Sequence, residues 1–355
     1  MIRIQNIYHM LAYAFQVLNE QGYKSIATED FDNVAELCAA ILVRGIGTQI
    51  KRGLGRAYIP QTEALPSLRG KIDISETIKT QALQRKQMVC SYDEFSINSY
   101  MNRIIKSTML LLLRADITKT RKKELRKLLM FFDEIENIDL YSINWNMQYN
   151  RNNQTYRMLI SICYLVIKGL LQTQSDGNRK LMDFLDEQRM HRLYEKFILE
   201  YYRKEYPQIT ACASQIPWQL DDGRSAMLPV MQTDIMLSRG EKTLIIDAKY
   251  YSHSTQLQYD RHTLHSGNMY QIFTYVKNKE AELAGRAHEV SGMLLYARTD
   301  EVVYPENEYR MSGNRIEVRT LNLDTEFSKI KEQLSGIAEK YLGTASTQSN
   351  VRKKE

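Results

Sequence analysis

The sequence predicts an α/β protein in two parts: a mainly helical N-terminal half with a small β insertion, then a domain built on a central mixed sheet flanked by helices. Three observations carry that prediction. The apolar residues of the first 172 positions recur mostly at helical spacing. A polar stretch, "QTQSDGNRK" (172–180), interrupts the pattern with a turn-forming Asp-Gly. Beyond it, strand-like runs alternate with helices.

The elements follow in order. "NIYHMLAYAFQVLNE" places Ile7, Leu11, Ala14, Phe15 and Leu18 on one helical face. "FDNVAELCAAILVRGIGTQIKRG" predicts a second helix that runs out at its glycines. "GRAYIPQTEALPSLRGKIDISETI", with two prolines and alternating residues, predicts strands and turns. Two long helices are expected across "NSYMNRIIKSTMLLLLRADI" and "KTRKKELRKLLMFFDEI", and an apolar helix over 156–172 closes this half. In the second half "EQRMHRLYEKFILEYYRKEY" gathers Met190, Leu193, Tyr194, Phe197, Ile198 and Tyr201 on one face. Strands are expected at 230–237, 243–250, 291–297 and 314–321. A helix, "NMYQIFTYVKNKEAELA", separates the second and third. An amphipathic helix, "EFSKIKEQLSGIAEKYL", precedes a basic tail. The domains are therefore set at 1–172 and 181–345, with 346–355 expected to be disordered. No internal repeat is visible.

Composition bounds the function classes. The chain has 355 residues, 43% of them hydrophobic and 25% charged, with a formal net charge of +6. This is an ordinary globular balance, and its charge fits a nucleic-acid partner without requiring one. Cys38, Cys90, Cys163 and Cys212 lie far apart, with no C-x-x-C pair. That argues against a zinc ribbon or disulfide framework and for a reducing compartment. The N-terminus lacks the features of a signal peptide. The longest apolar run, "MLISICYLVIKGLLQ", is too short for a span and carries Lys168. A cytoplasmic protein with no membrane partner is expected.

The chemistry concentrates in "MQTDIMLSRGEKTLIIDAKYY" (231–251). As an antiparallel pair with Leu237 facing Leu244, this stretch sets Asp234 opposite Asp247. Directly opposed side chains stand roughly 4.5–5.5 Å apart at Cβ, where like charges repel. A hard divalent cation removes that conflict, since carboxylate oxygens are the ligands Mg²⁺ takes. Alternation puts Lys249 on the same face as Asp247. Such a site can hold a metal, orient a water and neutralise charge on a phosphate. The competing interpretation is an ordinary ion pair at the wet end of a strand. The added Asp234 and the apolar "TLII" lead favour the metal site.

Asp-x(12)-Asp-Ala-Lys across adjacent strands resembles the PD-(D/E)XK nuclease motif, with Thr233-Asp234 in place of Pro-Asp. "NIYHMLAYAF", "PSLRGKIDISETI", "SYDEFSINSYMNRIIKST" and "TDIMLSRGEKTLIIDAKYY…NMYQIFTYV" together resemble the McrC subunits of McrBC methylcytosine-dependent restriction systems, from about residue 4 to 343. The resemblance implies a restriction-endonuclease-like C-terminal domain. It implies that Asp234 and Asp247 bind Mg²⁺, with the Ala248 carbonyl as a further ligand, and that Lys249 positions or activates water. It further implies an AAA+ GTPase partner (McrB-like) that the N-terminal half docks on and stimulates, and double-stranded DNA as substrate. Gln271 and Tyr275 fit the Q-x-x-x-Y element of many such nucleases, though a half-buried polar pair facing the sheet accounts for them equally well. Glu195 is better explained as a solvated side chain than as the acid that the first helix of this fold often supplies.

The remaining motifs are weaker. "GIGTQIKRGLG" lacks the Gly-Lys-Ser/Thr ending of a phosphate loop, and no such loop occurs in the chain. Nucleotide hydrolysis therefore falls to the partner. His262 and His265 lack a third ligand and suit a surface loop, with contact to DNA backbone the next reading. "KTRKKELRKLL" is first a solvated helix face and second a phosphate-tracking patch. The leading expectation is a Mg²⁺-dependent endonuclease subunit. The alternatives are a bridging subunit that no longer cuts, against which the intact triad speaks, and a free-standing repair nuclease, against which the long N-terminal half speaks.

Overall fold

The computed structural model describes residues 2–15, 18, 23, 26, 29, 31–150, 153, 155–176, 187–250, 256–258, 261–298 and 304–343. The chain divides into one unit made of Met1–Asp30 with Leu185–Glu355 and a second made of Phe31–Phe184.

This division differs from the expected 1–172 and 181–345 at the N-terminus. Helix α1 (Ile4–Ala14), with the rest of Met1–Asp30, belongs with the C-terminal residues rather than with Phe31–Phe184. The physical reason lies in its buried polar groups. Asn6, 2% exposed, donates Nδ2 to the carbonyls of Leu323 (2.8 Å) and Thr325 (2.7 Å). Tyr13 donates its hydroxyl to Glu205 at 2.6 Å, and its ring lies among Phe197, Tyr201 and Phe327. The expected boundary at 172–180 falls partly inside a helix that runs on to Asp176. The rest of it, like the tail at 346–355, lies outside the described residues.

In the Phe31–Phe184 unit, helix α2 (Val34–Arg52) starts at Asn33, whose side chain accepts the N–H of Glu36 at 2.9 Å. It runs through Gly45 and Gly47 and stops only at Gly53, whose φ of +93° suits glycine. The β insertion contains β1 (Ala57–Leu65), β2 (Lys71–Ile72), helix α3 (Ile74–Lys79) and β3 (Met88–Ser96), with antiparallel strand order β1-β3-β2. Strand β3 and helix α3 are additions to the expected pattern. Three helices follow: α4 (Tyr100–Arg114), α5 (Lys119–Leu129) and α6 (Tyr156–Asp176). Fully buried Asn102 fastens the base of the β1–β3 ladder to α4 by donating to the carbonyls of Gly55 and Ile97, each at 2.8 Å. Lys119, Lys123, Arg126 and Lys127 of α5 are exposed, as a solvated face should be.

The other unit contains α7 (Glu187–Glu205), β4 (Thr210–Cys212), β5 (Gln215–Ile216), β6 (Met231–Gln232), β7 (Ile235–Arg239) and β8 (Lys242–Lys249). After β9 (Gln256–Gln258) and β10 (Arg261–Thr263) come α8 (Ser266–Glu282), β11 (Glu289–Ala297), β12 (Asn307–Met311), β13 (Asn314–Leu321) and α9 (Phe327–Leu342). Six strands form one mixed sheet in the order β12-β13-β11-β8-β7-β4. Its centre is parallel, β8 to β11 to β13, and α8 makes the crossover between β8 and β11. Strand β7 pairs antiparallel with β8.

Alternation assigns the faces. Ile245 of β8, Val290, Leu294 and Tyr296 of β11, and Ile316 and Val318 of β13 share a core with Ile272, Tyr275 and Val276 of α8. Gly292 lets α8 lie close: a Cβ there would meet Val276 Cγ2 at 2.8 Å and Ile272 Cγ1 at 2.9 Å. Asp247 and Lys249 therefore face the α8 side, at the end of β8 away from Lys242. Among the described residues no helix is long and apolar enough to cross a membrane.

Candidate functional site

The register around the two aspartates is the expected one. Leu237 pairs with Leu244, and the ladder runs to Ile235 opposite Ile246. One step further, Asp234 is the counterpart of Asp247. The expected continuous strand at 230–237 is instead broken at Thr233 and Asp234. Thr233 turns sideways: its N–H and its hydroxyl both donate to the Ser214 carbonyl, at 2.9 and 3.0 Å. The ladder then stops short of Ala248. Its backbone N–H donates instead to Asp234 Oδ2 at 2.9 Å. A break in the strand thus turns a main-chain donor toward a carboxylate.

Asp247 is 1% exposed, and neither of its oxygens accepts a well-formed hydrogen bond. Lys249 Nζ stands 2.9 Å from Asp247 Oδ2, with both side chains almost entirely buried. A buried carboxylate with a bare oxygen costs several kcal/mol unless something pairs with it, and one ammonium does not satisfy two oxygens. Asp234 registers the same tension. Its pKa is pushed up to about 8, first by burial, then by the charges of Asp247 and Glu195, with Lys249 opposing. Two carboxylates crowded to that degree form a donor set suited to a hard cation. Among the described residues no group of three His, Cys, Asp or Glu side chains is arranged to hold a metal, so the side-chain donors on offer are these two carboxylates, with main chain and water left to complete a shell. That suits Mg²⁺, which keeps several waters and typically takes one or two carboxylates.

Helix α8 supplies the polar wall. Lys249 Nζ donates to Gln271 Oε1 at 3.5 Å, Gln271 Nε2 to the Tyr275 hydroxyl at 3.0 Å, and that hydroxyl to the Gln232 carbonyl at 3.1 Å. Gln271 and Tyr275 thus face the sheet, one turn apart, in a relay from the lysine to the segment preceding Asp234. The strand register adds a neighbour that was not anticipated. Tyr296, opposite Lys249 on β11, accepts from Asn268 Nδ2 at 2.9 Å. Asn268 lies one turn before Gln271 on α8, and that spacing was the available signal.

Glu195 departs from a purely solvated role. Its side chain is 27% exposed, is paired with His191 at 2.8 Å, and acts electrostatically on Asp234. His265 sits at the N-cap position of α8, while the His262 side chain lies outside the described residues. The four cysteines are free thiols, and burial pushes those of Cys38 and Cys163 up to about 12.

Relatives can be set beside this geometry. The type IV methyl-directed restriction enzyme EcoKMcrBC of Escherichia coli (strain K12) is 29% identical over 347 residues, covering 96% of this chain and 98% of that one. Of solved structures, a half-complex of Thermococcus gammatolerans McrB AAA+ hexamers with bound McrC has a chain 17% identical to this one. The TM-score is 0.44, over 92% of this chain and 75% of that chain. The T. gammatolerans McrBC complex gives 20% identity and a TM-score of 0.38, over 57% and 58%. The family described as McrBC 5-methylcytosine restriction system component matches residues 4–297, most of the length, and the chain belongs to that family.

Proposed function

We propose that this chain is the Mg²⁺-dependent DNA-cleaving subunit of a GTP-driven, methylcytosine-dependent restriction complex, with a PD-(D/E)XK-type centre at Asp234, Asp247 and Lys249. The single observation that carries the proposal is Asp247, a buried carboxylate without a well-formed hydrogen bond, beside a second carboxylate and an ammonium on the same strand end.

Asp234 and Asp247 would hold the cation, with the Ala248 carbonyl as a third protein ligand. When bound, Mg²⁺ supplies charge neutralisation at the scissile phosphate and a more acidic water. The chain's own residues do the rest. The Ala248 N–H fixes the Asp234 carboxylate in place. Gln271 orients the Lys249 ammonium, and Tyr275 anchors Gln271 to the main chain. From there Lys249 positions the attacking water and offsets charge on the phosphoryl oxygens. The buried surroundings strengthen each of these interactions.

The AAA+ GTPase partner comes from family membership and from the McrB named in the related assemblies. No phosphate loop exists in this sequence, so the partner must supply nucleotide hydrolysis, and the Phe31–Phe184 unit is assigned to docking and stimulation. The test is reconstitution with the McrB-like partner, GTP, Mg²⁺ and methylated duplex. Cleavage should need both proteins. Cleavage by the isolated chain, or none by the full mixture, would contradict the proposal.

A further inference from the structure

Beside the triad lies a histidine that neither the motif nor the metal chemistry uses. His191 and Glu195 are four residues apart on α7, so they share a face. His191 Nε2 stands 2.8 Å from Glu195 Oε1. The other ring nitrogen, Nδ1, accepts the backbone N–H of Tyr250 in a long 3.4 Å hydrogen bond. Tyr250 directly follows Lys249, at the point where the chain leaves β8. The same stretch of helix is anchored to this exit by a second contact: the buried Tyr194 ring lies 6.4 Å from the Tyr250 ring.

These contacts assign roles to the two ring nitrogens. A nitrogen that accepts an N–H carries no proton, so Nδ1 is the acceptor from Tyr250 and Nε2 carries the proton. Nε2–H then donates to the Glu195 carboxylate. The ring therefore connects two things: an acidic side chain that acts on Asp234, and the backbone adjoining Lys249. A ring that uses both nitrogens in this way holds its neighbours in one arrangement, as the outer partners of metal-site ligands do.

We propose that His191 is a positioning residue of the Asp234–Asp247–Lys249 site: its imidazole holds the Glu195 carboxylate and ties α7 to the backbone that leaves Lys249. It touches neither substrate nor metal. The inference rests on the nuclease reading of that site, and one arm of its test does not.

That arm is nitrogen NMR of the full chain labelled at histidine, without metal, partner or DNA. The His191 ring should carry its proton on Nε2 with Nδ1 as acceptor, and Glu195→Gln should shift its Nε2 resonance. A proton on Nδ1 at neutral pH, or a ring unaffected by Glu195→Gln, overturns the proposal whether or not the protein is a nuclease.

The second arm uses the reconstituted complex under single-turnover conditions. His191→Ala should slow cleavage by about tenfold to a hundredfold, the usual cost of removing an outer partner at a metal site. His191→Gln, whose amide can still donate toward Glu195, should recover most of that loss. Glu195→Gln should slow cleavage comparably, and the double variant should be no slower than either single one, because the two side chains act as a unit. GTPase stimulation should stay unchanged throughout. Wild-type cleavage by a folded His191→Ala protein, or losses that simply multiply in the double variant, would overturn the proposal. An inactive wild-type complex would instead defeat the nuclease reading, leaving the NMR arm to decide the role of His191.

Discussion

Ala248 donates its backbone N–H to Asp234 Oδ2 at 2.9 Å, in place of the ladder bond that a regular β7–β8 pair would make. This relationship draws the first aspartate of the site in beside the second, at a cost in carboxylate repulsion that a cation can relieve.

The repulsion gives a pH signature. Asp234 is raised to about 8 in the folded protein, far above an unfolded aspartate. A carboxyl so raised binds its proton more tightly when folded. Its contribution to stability is therefore full below the unfolded pKa of about 3.9 and is lost as pH rises through about 8. In metal-free buffer the wild-type melting temperature should fall across that window more steeply than that of Asp234→Asn. Calorimetry in a chelator checks this, and equal slopes would count against it.

Mg²⁺ should reverse the loss. A ligand that binds only the folded state stabilises it by mass action. Above about pH 8, where Asp234 is mostly ionised and metal displaces little proton, Mg²⁺ should raise the wild-type melting temperature and leave Asp247→Asn unmoved. Thermal scans at rising Mg²⁺ read the difference, and a shift of equal size in the variant would count against these ligands.

The seat of α8 rests on Gly292. A Cβ there would come within 3 Å of both Val276 and Ile272, and neither can withdraw without moving the helix. Gly292→Val should destabilise the protein by about 1–3 kcal/mol, the usual cost of overpacking a core. It should also slow cleavage, because α8 carries Gln271 and Tyr275. Denaturant melts and single-turnover rates test the two effects separately. An unchanged cleavage rate in a destabilised variant would show that the helix does not set the lysine.

Asn6 anchors α1. Asn6→Ala leaves two carbonyls without their donor, and an unsatisfied buried group costs about 1–3 kcal/mol. The variant should melt earlier than wild type. The Phe31–Phe184 fragment, which lacks α1, should still raise the partner's GTP turnover. Stimulation confined to the Leu185–Glu355 portion would reverse the assignment of roles.

Much of this was legible in the sequence, for reasons that differ by residue. The pairing of Leu237 with Leu244 follows from apolar alternation, and it brings Asp234 and Asp247 together without any tertiary information. Gln271 and Tyr275 are legible because i,i+4 spacing is local. The membership of α1 is not, because nothing in "NIYHMLAYAF" records that Asn6 will meet carbonyls more than 300 residues away. Strand β6 is two residues long and set off by Thr233, whose partner Ser214 lies across a loop; periodicity cannot register so short an element. Helix α2 passes through Gly45 and Gly47 because the buried face of Leu37, Ile41, Leu42 and Ile46 outweighs their weak helix propensity. The His191–Glu195 pair was visible as i,i+4 spacing, but its link to Tyr250 required the fold.

The central claim is that Asp247 serves chemistry rather than the fold. Asp247→Ala, reconstituted with the GTPase partner, GTP, Mg²⁺ and methylated duplex, should be folded and should stimulate GTP hydrolysis normally. Its single-turnover cleavage should be abolished. Cleavage at the wild-type rate by that folded variant would contradict the account.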